Sequence, residues 1–278
     1  PGRILRELTI GSSHPPFLTL SRADVLDSGP VARARWLAQT GLPGLAADEL
    51  SGVDERDPDA GWVAAMLLDA GSHHRRSHRM AKNLLRRQGA GWPTDDTAGY
   101  FRLAYPRPHA EAVAMASRES GVSSHLIYGV MREESAFVAG IESHANAMGL
   151  MQLILPTAKA MGRKLGLEAT PAALRRPEVN IRLGASFLSD LLKRFKEPLL
   201  AIPGYNAGGG AIGRWLKENP GALLDEFVEG IGATETRDYA RKVFESYAAY
   251  TFLYGAPPYV PVELPKDMKI AAGGKTSK

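Results

Sequence analysis

Two adjacent carboxylates, Glu133 and Glu134 in "MREESAF" (residues 131–137), interrupt an otherwise apolar stretch. The stretch reads as a helix with an N-cap candidate at Ser124. Side chains on a helix turn by about 100° per residue. With Glu134 at zero, Ile127 falls within about 20°, Val130 about 40° to one side and Met131 about 60° to the other. Glu134 therefore lies in the middle of the apolar face. Glu133 lies about 100° away, near the edge of that face, and Arg132 lies almost opposite Glu134. The wheel predicts a buried Glu134 and a solvated Glu133. Burial disfavours the charged carboxylate and raises its pKa. A carboxylic acid still protonated near neutral pH suits general acid catalysis. On helix position alone, a core glutamate satisfied by an arginine or a backbone amide is the commoner occupant, so other segments must decide.

Three segments further along carry polar groups suited to a ligand cleft. In "SHANAMGLMQLILPTA" (143–158), small residues and Gly149 beside "LMQ" let backbone approach a ligand, and Pro156 suits the first turn of a following helix. "AIPGYNAGGGAIGRWL" (201–216) sets Tyr205 and Asn206 before a Gly-rich turn. An aromatic beside an amide offers a sugar both a ring face and hydrogen bonds. "ATETRDYARKVFESYAAY" (233–250) begins an aromatic-rich helix with Glu235. Two other constellations are weaker. His74 and His78 in "GSHHRRSHRM" have the i, i+4 spacing of a metal pair, but neighbouring Arg75, Arg76 and Arg79 would repel a cation and no further ligand is evident, so the segment reads as a solvated basic face. "NAGGGAIGRW" lacks the preceding strand and following Lys-Ser/Thr of a phosphate loop. No metal site and no cofactor is expected.

These groups need helices to position them. Helical patterning dominates from Val31 to about Gln88, with glycine stops after "VARARWLAQT", "DAGWVAAMLLDA" and "SHRMAKNLLRRQ". Turn signals "GSSHPPF" and "DSGP" precede it. Residues 89–109 are rich in Gly and Pro and read as a linker or domain boundary. Helices are expected at about 109–118, 124–135, 156–165, 178–195, 198–202, 207–218 and 235–253. Alternating β-branched runs are scarce, so the fold class is all-α. The final 20 or so residues carry prolines, then Gly, Lys and Ser, and read as extended, then disordered.

The 278 residues are 44% hydrophobic with a formal charge of +4 and no cysteine. Disulfides and thiolate metal sites are excluded. No apolar run approaches the roughly 20 residues of a membrane span. The mild basic excess favours anionic polymers only weakly, and nothing beyond it supports nucleic-acid binding. The chain opens at Pro1 without a signal-peptide pattern and reads as a fragment or processed product.

Glu-Ser (134–135), Gly-Leu-Met-Gln (149–152), Tyr-Asn-Ala-Gly (205–208) and Glu-Thr-Arg (235–237) occur in this order and at fitting separations. The combination resembles the soluble lytic transglycosylase catalytic domain over about residues 105–255. "RES" at 118–120 is a decoy, because no Gly-Leu-Met-Gln follows it at the right distance. The resemblance implies a lysozyme-like, all-α catalytic domain (105–258), preceded by a helical, possibly superhelical, N-terminal region (1–104) and followed by a tail (259–278). It implies Glu134 as acid/base and Ser143, Gln152, Tyr205, Asn206 and Glu235 as substrate-binding residues. The implied substrate is peptidoglycan glycan strands. The implied reaction cleaves the β-1,4 bond between N-acetylmuramic acid and N-acetylglucosamine with formation of a 1,6-anhydro sugar, in the periplasm or cell envelope. Asn146 stands where the family usually has Gly, Ile154-Leu155 where it often has Met-Pro, Pro203-Gly204 where it has Ala-Ala, and Ile231-Gly232 where it has Ile-Pro. None of these removes a functional group at the matched positions. Two alternatives stand beside this reading. One is a goose-type lysozyme-like hydrolase, with Glu142 or Asp190 as second carboxylate. The other is a non-catalytic peptidoglycan-binding scaffold.

Overall fold

The computed structural model describes residues 20–21, 24–27, 29–255, 270–271 and 275–276. The chain divides into two compact units, Pro1–Pro108 and His109–Lys278. The turn expected at "GSSHPPF" and most of the expected tail lie outside the described residues.

The described part of the first unit is helical: α1 (Gly29–Gln39), α2 (Pro43–Glu49), α3 (Pro58–Ala70), α4 (His74–Arg87) and α5 (Ala98–Ala104). The centre is α3. Asp57 caps it by accepting from the amides of Asp59 and Ala60, and Pro58 supplies a preset first turn. From Gly61 to Leu68 every residue of α3 is buried. Gly61 lets α4 approach closely, since a Cβ there would sit 3.1 Å from Leu84 Cδ1. Against α3, α4 turns Met80, Ala81, Leu84 and Leu85 inward and its basic residues outward.

The boundary between the two units, Pro108/His109, falls within the Gly- and Pro-rich stretch 89–109, but that stretch is not a plain linker: it contains α5, whose Phe101, Leu103 and Ala104 are buried. Tyr100 packs edge-on against Trp62 at 4.7 Å. Gly and Pro mark the flanks of this helix, and tertiary burial decides its interior. The basic face expected at 71–80 is solvated at Arg75 and Arg79, but the histidines are committed to the fold. His78 is buried with Nδ1 2.7 Å from the carbonyl of Ala104, and His74 pairs with Asp69 at 3.0 Å. Among the described residues no cluster of three metal-ligating side chains occurs.

The second unit holds α6 (Ala110–Ser120), α7 (Ser124–Ser135), α8 (Leu155–Leu165), α9 (Pro171–Leu174), α10 (Pro177–Phe195), α11 (Pro198–Ala207), α12 (Gly209–Glu218), α13 (Leu224–Glu229) and α14 (Thr234–Tyr254). Past α14, Ile270–Ala271 pairs antiparallel with Lys275–Thr276. The cap of α7 is Ser123, one residue earlier than expected, accepting from the amide of His125. Gly129 lets α7 and α14 meet closely, because a Cβ there would lie 3.2 Å from the Tyr247 amide nitrogen. Tyr128 stacks on Tyr250 at 5.3 Å across the same contact. With α14 covering this flank, α7 is buried on more than one side: Leu126 to Arg132 are all buried.

Helix α11 continues through Pro203 to Ala207, although the sequence predicts a stop near 202. An interior proline loses a hydrogen bond and crowds the preceding turn, at a cost of about 3 kcal/mol. Burial of Leu199, Leu200, Ile202 and Tyr205 offsets it, at about 1.5–3 kcal/mol for each large apolar side chain. The continued helix sets Tyr205 and Asn206 on its last turn.

Candidate active site

Glu134 lies one residue before the end of α7 and is partly buried. Its Oε1 accepts the phenolic hydrogen of Tyr239, from α14, at 2.7 Å. No cation pairs with it among the described residues. Burial is the main cause that lifts its pKa, the charges of Glu133 and Glu235 add to the lift, and the Tyr239 hydrogen bond opposes it; the result is about 7. Burial and the charge of Glu134 push the Tyr239 phenol well above its usual range, so it remains a donor.

Glu133 departs from the solvated state that the wheel predicts. Its side chain is 13% exposed, and Oε1 lies 2.5 Å from Arg132 Nη1. Ser246 Oγ donates to the same oxygen at 2.9 Å and accepts from Arg132 at 2.9 Å. The two-faced burial of α7 is the reason: α14 covers the flank that a single apolar stripe would leave in water. Partners, not burial, separate the two glutamates. Glu133 is balanced by a guanidinium, whereas Glu134 faces only a phenol and is the group free to exchange a proton.

The segment after α7 is a strained turn system stapled by buried polar side chains. Four of the seven described non-glycine residues with positive φ fall here: Ala136, Phe137, Asn146 and Gln152. Such conformations persist where the surroundings over-determine them. Ser135 Oγ donates to Leu150 O at 2.8 Å. Asn180, fully buried on α10, accepts from Met151 N at 2.7 Å and donates to Met148 O and Leu174 O at 2.9 Å each. Gly149 has φ +82°, and a Cβ there would lie 2.3 Å from Asn180 Nδ2. Asn146 adopts φ +57°, a left-handed conformation that asparagine tolerates better than most residues, which explains how it stands in place of glycine.

The other expected residues divide by what remains free. Gln152 is partly buried and donates through Nε2 to Gly149 O (2.9 Å) and Ile141 O (3.3 Å), leaving Oε1 without a partner among the described residues. Asn206 is exposed on α11 and accepts from Thr236 Oγ1 at 2.7 Å, which ties it to the first turn of α14 beside Glu235. Glu235 is exposed, and its charge reaches Glu134. Ser143 Oγ accepts from Ala147 N within its own turn at 3.1 Å. Tyr205 offers no ring face to a sugar. It is 8% exposed, its hydroxyl donates to Met151 O at 2.9 Å, and its ring packs against Phe187. The structure thus gathers Glu134, Tyr239 and Glu235 electrostatically, and joins α11 to the Gln152 loop through Tyr205 and to α14 through Asn206. Sequence reasoning missed Tyr239. It lies at i+4 from Glu235, so helical spacing places both on one face of α14.

A partly buried carboxyl poised near neutrality, with a phenol as its partner, is equipped for acid/base chemistry on a polar ligand. Residues 111–227 match the family described as the transglycosylase SLT domain. The chain is 36% identical over 159 residues to a Haemophilus influenzae protein provisionally named a soluble lytic murein transglycosylase, covering 56% of this chain and 26% of that one. It is 30% identical over 155 residues to the soluble lytic murein transglycosylase of Salmonella typhimurium, covering 54% and 24%. Among solved structures, it resembles an inactive mutant of the lytic transglycosylase Slt from Pseudomonas aeruginosa, with TM-score 0.65, 28% identity and coverage of 86% of this chain and 38% of that one. The chain therefore spans about a quarter of the length of the curated relatives it matches. The second unit is an all-α domain of the lysozyme-like class. The residues that match the transglycosylase SLT domain, 111–227, lie within this unit.

Proposed function

We propose that this chain is a peptidoglycan lytic transglycosylase that cleaves the β-1,4 bond from N-acetylmuramic acid to N-acetylglucosamine and closes a 1,6-anhydro ring. The observation that carries the reading is Glu134, held at a pKa of about 7 with a phenol as its partner. One carboxylate performs both halves of the reaction. Protonated Glu134 donates to the glycosidic oxygen, and the C1–O bond breaks. The developing positive charge at C1 is stabilised by the substrate's N-acetyl group or by hydrogen bonds from the cleft. Glu134, now ionised and held by Tyr239, takes the proton of the muramic C6 hydroxyl as that oxygen bonds to C1. No water is consumed.

Gln152 Oε1 and the Asn206 amide are the groups placed to orient N-acetyl and hydroxyl groups. Ser143 and Tyr205 act through the backbone they hold, and Glu235 shapes the charge at the cleft. This reading carries a periplasmic or cell-envelope address, because peptidoglycan lies outside the cytoplasmic membrane. No helix among the described residues is long and apolar enough to cross a membrane.

The hydrolase alternative needs a carboxylate free to activate water. Glu142 is paired with Arg175 at 2.8 Å, and Asp190 is paired with Lys164. Both are exposed or half-exposed ion pairs. Digestion of purified peptidoglycan in 18O-labelled water separates the routes. Products one water lighter than the reducing muropeptides, without label, are expected. Labelled reducing ends would establish hydrolysis instead.

A further inference from the structure

Helix α4 of the first unit carries six arginine or lysine residues and no acidic one. Arg75, Arg79, Lys82 and Arg86 are all exposed. At about 100° per residue they fall within an arc of about 60°. At about 1.5 Å per residue they form a straight stripe roughly 16 Å long. None of the four side chains has a hydrogen-bond or ion-pair partner among the described residues. The contrast with their neighbours is sharp. Arg33 meets Glu49, Arg35 meets Asp27, Arg56 meets Asp54, Arg87 meets Glu55, and Arg76 donates to Ala47 O. The opposite face of α4 is anchored by Met80, Ala81, Leu84 and Leu85, so the stripe sits on a fixed support.

We propose that this stripe binds the carboxylates of the peptide stems of peptidoglycan, so that the first unit holds the polymer that the second unit cuts. The identity of the polymer rests on the function proposed above. Three observations favour a carboxylate-bearing polymer. Three of the four cations are arginines, whose planar fork matches a carboxylate with two hydrogen bonds. Their spacing along the helix, one every three or four residues, suits a series of separate anions. On the wheel the stripe is flanked by Asn83 and Arg76 on one side and by the buried His78 and Leu85 on the other, and no exposed apolar side chain lies within it to enter a bilayer. The exposed tryptophans of this unit, Trp36 and Trp92, lie off this helix.

Cosedimentation of the full chain with insoluble peptidoglycan tests this. The chain carries Glu134→Gln to prevent digestion and is compared with and without Arg75→Gln, Arg79→Gln, Lys82→Gln and Arg86→Gln. A parallel set uses peptidoglycan whose carboxyl groups have been converted to amides. The expected result is salt-sensitive binding that weakens by about tenfold or more when either the four cations or the polymer carboxylates are neutralised. Equal pelleting of the two proteins, or undiminished binding to the amidated polymer, would overturn the proposal. So would stripe-dependent binding to phosphatidylglycerol vesicles or DNA without binding to the polymer. Turnover of peptide-free glycan strands by the four-fold variant with Glu134 restored keeps the two readings apart. Turnover equal to the unsubstituted chain is expected, because the stripe takes no part in the chemistry, and a loss as large as the binding loss would refute a separate binding role. Failure of the unsubstituted chain to turn over any glycan would remove the catalytic reading, while the pelleting comparison would still decide the stripe.

Discussion

Tyr239 and Glu134 stand 105 residues apart in the chain and 2.7 Å apart in the fold, the phenol donating to Oε1. The contact stabilises the carboxylate and so works against the burial that lifts its pKa. Tyr239→Phe should therefore raise the pKa of Glu134 further. The basic limb of the kcat/KM profile is expected to move up by about half to one pH unit, and kcat to fall about tenfold as the ionised state after proton donation loses its partner. An unmoved limb would separate Tyr239 from the titrating group.

Glu133 has the opposite influence, since its charge raises the pKa of Glu134. Glu133→Gln keeps the hydrogen bond from Ser246 possible and removes the charge. The basic limb should shift below pH 7. Arg132 would lose its counter-charge inside the fold, which costs about 1–3 kcal/mol in stability. A pH–rate profile and thermal unfolding on the same variant read the two effects separately.

A carboxyl whose pKa rises from 4.5 to about 7 on folding binds more protons in the folded state between those values. Stability is then fully present below about pH 4.5 and is lost as pH rises through 7. Glu134→Gln removes that loss. Because the group is only partly buried, the gain at pH 8 is about 1–3 kcal/mol, less than the full shift implies. Tm should rise by roughly 3–8 °C at pH 8 and stay unchanged at pH 4. A gain of equal size at both pH values would contradict the assigned titration.

The loop that bears Gln152 depends on Asn180, which makes three hydrogen bonds to it and to Leu174. Asn180→Ala leaves buried backbone groups unpaired and should cost about 3 kcal/mol or more. Gly149→Ala adds a Cβ into a space already filled, in a left-handed backbone, and should cost more than Asn180→Ala. Asn146→Gly should be close to neutral, because glycine adopts the same positive φ. Urea unfolding of the three variants orders them: Asn146→Gly, then Asn180→Ala, with Gly149→Ala least stable.

Much of the helix order could be read from the sequence because α7, α8, α10 and α14 carry strong periodicity with clear stops. Residues 124–135 coincide with the expected helix, and 178–195 differs by one residue. Two short helices, α9 and α13, have too few turns for a period to emerge, and α5 hides between glycines and prolines. The exposure of Glu133 could not be read either. A helical wheel assumes one buried face, and only tertiary packing reveals that α14 covers a second. The same limit applies to Tyr205, whose ring the sequence offers to a sugar and the fold commits to Met151 and Phe187.

The most direct measurement is turnover of purified peptidoglycan by the unsubstituted chain and by Glu134→Gln, read by mass spectrometry of soluble products. Glutamine keeps the size and the hydrogen bond to Tyr239 but cannot exchange the proton. The account predicts anhydro products from the unsubstituted chain and a loss of at least about 100-fold with Glu134→Gln, with helical content retained. Retention of more than a few per cent of the activity would contradict the assignment of Glu134 as acid and base.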